Sequence, residues 1–206
     1  QYVLQIKNLE TGEILDDRIA NTTGGSTWAN DNKTLFYTQK DEVTLRSHMI
    51  LSHERGQTVD RDILVYQEDD ETFNTYVYKT KSEAYLVITS QSTLTSEYRI
   101  VSADTPASDF KIFTPRQRGL EYDIYHYQDH FYILTNADGA SNFKLMKTKI
   151  DQTQKSAWEN LIDHRSDVLL EDIDIFADYL VVSERHEGLN RFRIMLGRDA
   201  RLLFAI

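Results

Sequence analysis

A short run of aromatic and aliphatic residues returns four times along the chain, each time just after a polar or acidic turn. The runs are Lys33–Thr38, Glu83–Thr89, Asp129–Thr135 and Asp178–Ser183. Their anchors, Leu35, Tyr85, Phe131 and Leu180, stand about 46–50 residues apart, close to the period of roughly 40–50 expected of propeller blades. Each anchor has matching neighbours. A strand-like piece precedes it (Ser26–Trp28, Thr75–Tyr78, Glu121–Tyr125, Glu171–Phe176). A third piece comes after a polar turn (Thr44–Met49, Glu97–Val101, Asn142–Met146, Asn190–Met195), and then a fourth (Asp62–Tyr66, Phe110–Phe113, Trp158–Ile162, Leu202–Ala205). Tyr122 with Ile124, and Tyr98 with Ile100, alternate with polar residues as one face of a strand does.

Four strands per repeat joined by short turns is the plan of a propeller blade. The reading is therefore all-β: a partial β-propeller of about four four-stranded antiparallel blades, covering approximately 26–66, 73–113, 120–162 and 170–206. Tyr2–Ile6 and Glu13–Leu15 read as two strands of a preceding blade within 1–20. That stray hairpin suggests an arc cut from a larger ring rather than a closed four-bladed one. The one helix-like stretch, Asp151–Asn160, is expected to link outer strands. With 12 Tyr and 9 Phe against 2 Pro, composition agrees with strands.

Charge and cysteine content remove several functions. The formal net charge is −10, from 33 acidic and 23 basic residues. Such a surface is a poor partner for nucleic acid and admits a basic ligand. The absence of cysteine excludes disulfides and thiolate metal sites. No run approaches the roughly 20 apolar residues that cross a bilayer, so no membrane partner is expected. Gln1 already falls in a strand-like run, so the chain reads as cut at its start, and a cytoplasmic location is the expectation, with periplasmic possible.

Catalytic motifs are wanting. The nearest approach to a nucleophile elbow, Gly24-Gly-Ser-Thr-Trp28, lacks the closing glycine of G-x-S-x-G, and Ser26 reads as a strand-entry residue. His126 and His130 are spaced for a helical metal site but sit in a strand–turn–strand pattern. Asn136–Asn142 has the flavour of a calcium loop without its ligand spacing, and reads better as an Asp-Gly hairpin turn. Neither a metal nor a cofactor is expected. Glu68–Glu71 reads as a solvated loop between blades, or as a negative patch for Arg- and Lys-containing peptides. Asn21-Thr-Thr23 and Asn32-Lys-Thr34 match glycosylation sequons, which recur by chance.

Two connections carry the candidate site: Arg116, Arg118 and Glu121 between the second and third blades, and His164, Arg165, Glu171 and Asp174 between the third and fourth. Outer-to-inner connections open onto one end of a propeller channel. Charges there can meet a peptide or a second domain; the alternative is structural ion pairing between blades.

Several segments, taken together over roughly residues 26–195, resemble the propeller of oligopeptidase B-type peptidases in the prolyl oligopeptidase family. They are Ser26–Thr38 with Asp41–Arg46, Tyr78–Ser82, Ser92–Thr95, Pro115–Tyr122, Phe131–Asn136, Asn142–Met146 and His164–Phe176. The resemblance implies a seven-bladed propeller above an α/β-hydrolase domain with a Ser, Asp, His triad, and cleavage of short peptides after Arg or Lys. It also implies a propeller that filters substrates by size. The expected partners are then the hydrolase domain of the same parent chain and short basic peptides. The triad is expected to lie outside this sequence, leaving the fragment non-catalytic. A non-enzymatic propeller scaffold is the rival reading. Uncapped end blades, rich in Tyr2, Val3, Leu4 and Ile6 at one end and Leu202, Leu203, Phe204 and Ile206 at the other, are expected to make the fragment self-associate.

Overall fold

The computed structural model describes residues 2–196 and 201–205, the last five as backbone only. Among the described residues, seventeen strands form four antiparallel sheets. The first holds β1 (Tyr2–Lys7), β2 (Ile14–Trp28), β3 (Thr34–Lys40), β4 (Ser47–Glu54) and β5 (Ile63–Gln67), in that order. The second holds β6 (Asn74–Lys79), β7 (Tyr85–Gln91), β8 (Ser96–Ser102) and β9 (Lys111–Ile112). The third holds β10 (Tyr122–Tyr127), β11 (His130–Thr135), β12 (Lys144–Lys149) and β13 (Glu159–Ile162). The fourth holds β14 (Val168–Ile175), β15 (Tyr179–His186), β16 (Leu189–Leu196) and β17 (Arg201–Ala205). Each strand pairs with the next along the chain in every sheet, which is the meander expected of a blade.

The chain divides into two units, Gln1–Thr93 with Glu97–Phe113, and Leu94–Ser96 with Thr114–Ile206. In the first, Ala29, Phe36 and Ile50 pack with Val77, Leu86, Ile88, Val101 and Ala103, so the first and second sheets share a core. In the second, Tyr132, Leu134 and Leu145 pack with Leu170, Ile173, Leu180, Val182 and Met195, joining the third and fourth sheets. The middle strands are buried on both faces: Leu86–Ser90 of β7 and Phe131–Thr135 of β11 are unbroken buried runs. That explains the continuous apolar signal of the anchors. The first strands alternate instead, as in β10, where Tyr122, Ile124 and His126 are buried.

Turn chemistry sets the hairpins. Glu187 (φ 51°) and Gly188 (φ 78°) both take left-handed backbone between His186 and Leu189, the signature of a type I′ turn matched to the strand twist.

Local competition moves several boundaries. Tyr85 is not the equivalent of the other anchors. Leu35, Phe131 and Leu180 are each the second residue of their strand, and in β7 that place belongs to Leu86, fully buried where Tyr85 is half-buried. A one-residue slip changes the face because strand side chains alternate. Thr44–Arg46 is loop rather than strand. The Asp41 carboxylate accepts from the backbone N–H groups of Val43 (2.9 Å) and Thr44 (2.6 Å), bending the chain, and β4 starts at Ser47. The hairpin within 1–20 is not set apart by a loop from the rest of the first sheet. β2 runs unbroken from Ile14 to Trp28, pairing first with β1 (Leu4↔Ile19) and then with β3 (Trp28↔Leu35). Glu68 is no solvated loop residue either: it is 4% exposed and accepts from the Tyr66 hydroxyl at 2.7 Å. Arg46 holds that connection by donating to the carbonyls of Glu68 (3.0 Å) and Phe73 (2.9 Å). Both sequon asparagines take left-handed backbone, and Asn21 Nδ2 donates to the Lys40 carbonyl.

Candidate functional site

Register fixes which loops of the third and fourth sheets lie together. The β9–β10 connection delivers the chain to Tyr122, which pairs with Thr135 at the end of β11, so the β11–β12 loop leaves from the same end. β13 closes at Ile162 opposite Leu145, near the start of β12, so the β13–β14 connection departs there too. Val168 of β14 in turn faces His186, beside the β15–β16 turn. One end of the second unit therefore gathers the residues 114–121, 136–143, 163–167 and 187–188.

Asn136 is the hub of this layer. Its Oδ1 accepts from the Glu121 N–H (2.9 Å), while its Nδ2 donates to the Gly119 carbonyl and to Glu121 Oε1, both at 3.0 Å. Asn142 ties on the next connection by donating to the carbonyls of Ser166 (2.9 Å) and Arg165 (3.3 Å). These side-chain amides satisfy loop carbonyls that have no ladder partner, so the loops are held without regular structure. Between them lies an open cleft of about 320 Å³, with Arg118, Gly119, Asn136, Asp138, Ser141 and Lys155 in its wall.

The cleft is polar. Asp138, in left-handed backbone at φ 57°, receives Lys144 and Lys155, each Nζ at 3.0 Å. The bond from Lys155 and then that from Lys144 hold its carboxyl below the usual carboxylate range. This loop joins β11 to β12 as the hairpin turn read from the sequence, with Asp138 and Gly139 both in left-handed backbone, and it spans Asn136–Phe143 beyond the last ladder pair, Thr135↔Lys144. Across the layer, Arg165 bonds Asp167 at 2.8 Å and thereby lowers the Asp167 carboxyl, with His186 Nε2 3.5 Å away.

The residues singled out in the sequence divide between this layer and β14. Arg116, Arg118 and Glu121 lie on the first connection and His164 and Arg165 on the second, at this one end. Arg118 and Arg165 are exposed; Arg116, Glu121 and His164 are half-buried. Glu171 stands inside β14, ion-paired to Arg185 of the neighbouring strand at 2.6 Å. Asp174 lies further along β14, exposed, opposite Val181 and away from the loop layer. Sequence reasoning passed over Asn136, Asp138 and Lys155. The first two lie in a segment it read as a turn, and Lys155 meets Asp138 only through folding. His126 is buried against Phe131 (ring centroids 5.1 Å apart), and burial pushes its pKa down; His130 pairs with Asp129 at 2.8 Å. Among the described residues no group of three or more His, Asp or Glu is placed to hold a metal ion.

Successive antiparallel meanders of four or five strands, with packing across sheet faces inside each unit, define a β-propeller. The chain belongs to the prolyl oligopeptidase family, whose N-terminal β-propeller domain matches residues 1–206. It is 37% identical over 195 residues to dipeptidyl aminopeptidase BI of Pseudoxanthomonas mexicana, covering 95% of this chain and 27% of that protein. Protease 2 of Moraxella lacunata is 31% identical over 197 residues, covering 95% of this chain and 28% of the relative. Among solved structures, oligopeptidase B from Leishmania major superposes with a TM-score of 0.91 at 30% identity, over 98% of this chain and 29% of that one. The chain thus spans under a third of the length of these relatives. Among the described residues, no helix is long and apolar enough to cross a membrane.

Proposed function

We propose that this propeller segment gates substrate for a serine oligopeptidase that cleaves short peptides after Arg or Lys, and is itself non-catalytic. The observation that carries the reading is the loop layer of the second unit. It places Arg118, Arg165 and Asp138 at one end of adjoining blades, braced by Asn136 and Asn142. A rigid, charged surface on a peptidase-family propeller suits contact with a hydrolase domain or a peptide. The sequence contains no G-x-S-x-G, so the nucleophile is assigned to the hydrolase domain of the parent chain. The net charge of −10, with Asp172 and Asp174 exposed on β14, favours basic peptides over acidic ones. The 37% identity to a protein named as a dipeptidyl aminopeptidase supports peptide substrates while leaving room for a different cut. The blade limits 26–66, 73–113, 120–162 and 170–206 belong to the same proposal, with 1–20 as part of a preceding blade.

The test is kinetic and uses the complete two-domain enzyme. Arg118→Ala with Arg165→Ala, in the loop layer, should change KM for an Arg- or Lys-containing peptide about 2- to 5-fold with kcat nearly unchanged. Asp174→Asn, on β14 away from that layer, tests the acidic steering separately and should raise KM by a similar factor because uniform binding is lost. The effect should shrink as salt rises and screens the charge. An unchanged KM at low salt would end the steering idea.

A further inference from the structure

A second charged cluster lies in the first unit, remote in sequence from the loop layer. His53, near the end of β4, is fully buried, and both of its ring nitrogens face carboxylates. Nδ1 is 2.6 Å from Asp62 Oδ1 and Nε2 is 2.9 Å from Asp17 Oδ1. A neutral imidazole carries one N–H and one lone pair. It would satisfy one carboxylate and set its lone pair against the other. A ring protonated on both nitrogens satisfies the two carboxylates at once, and this is the state the geometry favours. Both carboxylates have further donors: Tyr37 donates its hydroxyl to Asp62 Oδ2 at 2.8 Å, and the Gly56 N–H donates to Asp17 at 2.5 Å.

The three groups come from different elements. Asp17 lies in the part of β2 that pairs with β1, ahead of the first β2–β3 pair at Thr22↔Gln39. His53 is on β4, opposite Leu35 of β3, and Asp62 immediately precedes β5. We propose that Asp17–His53–Asp62 is a proton-dependent latch that fastens the β1–β2 hairpin to the β3–β5 part of the sheet. The facing groups are Asp17 from β2, Tyr37 from β3 and Asp62 from the segment before β5. Asp16, Arg18, Glu54, Arg55, Asp60 and Arg61 lie on the same segments, and none of them is buried.

Burial opposes charge on His53, but its hydrogen bonds to Asp17 and Asp62 outweigh that and hold its pKa above the ordinary value. Burial likewise opposes charge on Asp17, yet the Gly56 N–H and then His53 bring its pKa below the usual carboxylate range. A raised histidine pKa contributes stability in full below about 6.5, and that is lost as pH rises through the folded value. A lowered aspartate pKa contributes above about 3.9 and is lost as pH falls through its folded value. The latch is closed between those limits and opens on the alkaline side first by loss of the His53 proton.

Ring-proton NMR of the protein, with the six histidines assigned by substitution, reads the latch directly. His53 should remain protonated well above pH 6.5. Amide exchange at Leu4, Gln5, Arg18 and Ile19, corrected for intrinsic rates, should lose protection by up to about tenfold per pH unit between about 6.5 and the His53 titration point, the slope of one linked proton. β11–β12 amides should show no such trend, and His53→Gln should abolish it in β1–β2. Titration of His53 at or below about 6.5 would overturn the proposal even if that variant fails to fold. So would a β1–β2 profile that is the same in His53→Gln and wild type.

Discussion

Adjacent residues on β15 point to opposite faces of the fourth sheet, and this gives a sharp test of the core. Leu180 is 1% exposed among Tyr132, Leu134, Leu170, Ile173 and Met195, while its neighbour Tyr179 is 45% exposed. Leu180→Ala removes buried carbons and leaves a space that two packed sheets cannot fully close. The expected loss is about 3 kcal/mol, within the roughly 2–5 kcal/mol seen for buried leucines. Tyr179→Ala strips a larger side chain but should cost under about 1 kcal/mol, since the ring is half in water. Urea unfolding followed by Trp158 fluorescence in a Trp28→Phe background reports on the second unit, which holds Trp158. With a urea m-value of about 2 kcal/mol/M, Leu180→Ala should lower the midpoint by about 1.5 M. Equal shifts for the two variants, or a shift below about 0.5 M for Leu180→Ala, would show that the face assignment is wrong.

Two more outcomes are expected. Asp138→Asn should cost about 1 kcal/mol near neutral pH, a figure kept small because Asp138 is 59% exposed. Because its carboxyl is lowered by Lys155 and Lys144, the difference from wild type should fade as pH drops through the folded pKa; a difference that persists at about pH 2 would refute the ion-pair account. Of the end residues that motivate self-association, Tyr2 and Val3 are exposed, while the side chains of Leu202, Leu203, Phe204 and Ile206 lie outside the described residues; self-association of the chain at tens of micromolar is expected. Light scattering across a dilution series checks it, and a strict monomer without apolar-dye binding would refute it.

The repeat period and the all-β class were legible in the chain because they rest on local pattern, while two of the expected pieces, Glu13–Leu15 and Ser26–Trp28, proved to be one strand. Polar turns punctuate apolar runs, and a strand buried on both faces announces itself as an unbroken run, as in Leu86–Ile88 and Phe131–Leu134. The segments that carry the family resemblance also run through those strands. Boundaries failed where a side chain competes with the ladder for backbone groups, as Asp41 does in bending Thr44–Arg46 into a loop.

What tertiary structure alone decided is which distant side chains meet. Composition showed six histidines but not that His53 lies between Asp17, 36 positions away, and Asp62. An Asp-Gly pair announced the β11–β12 turn but not that two lysines, one of them 17 residues downstream, meet Asp138 there. The face of a strand was equally hidden at Tyr85 and Leu86, both apolar enough to be an anchor, until register placed Leu86 inward. Pattern along a strand fixes periodicity, which is a local property. Charge pairing and facing depend on register and on the approach of other strands, and those are set only when the sheets pack.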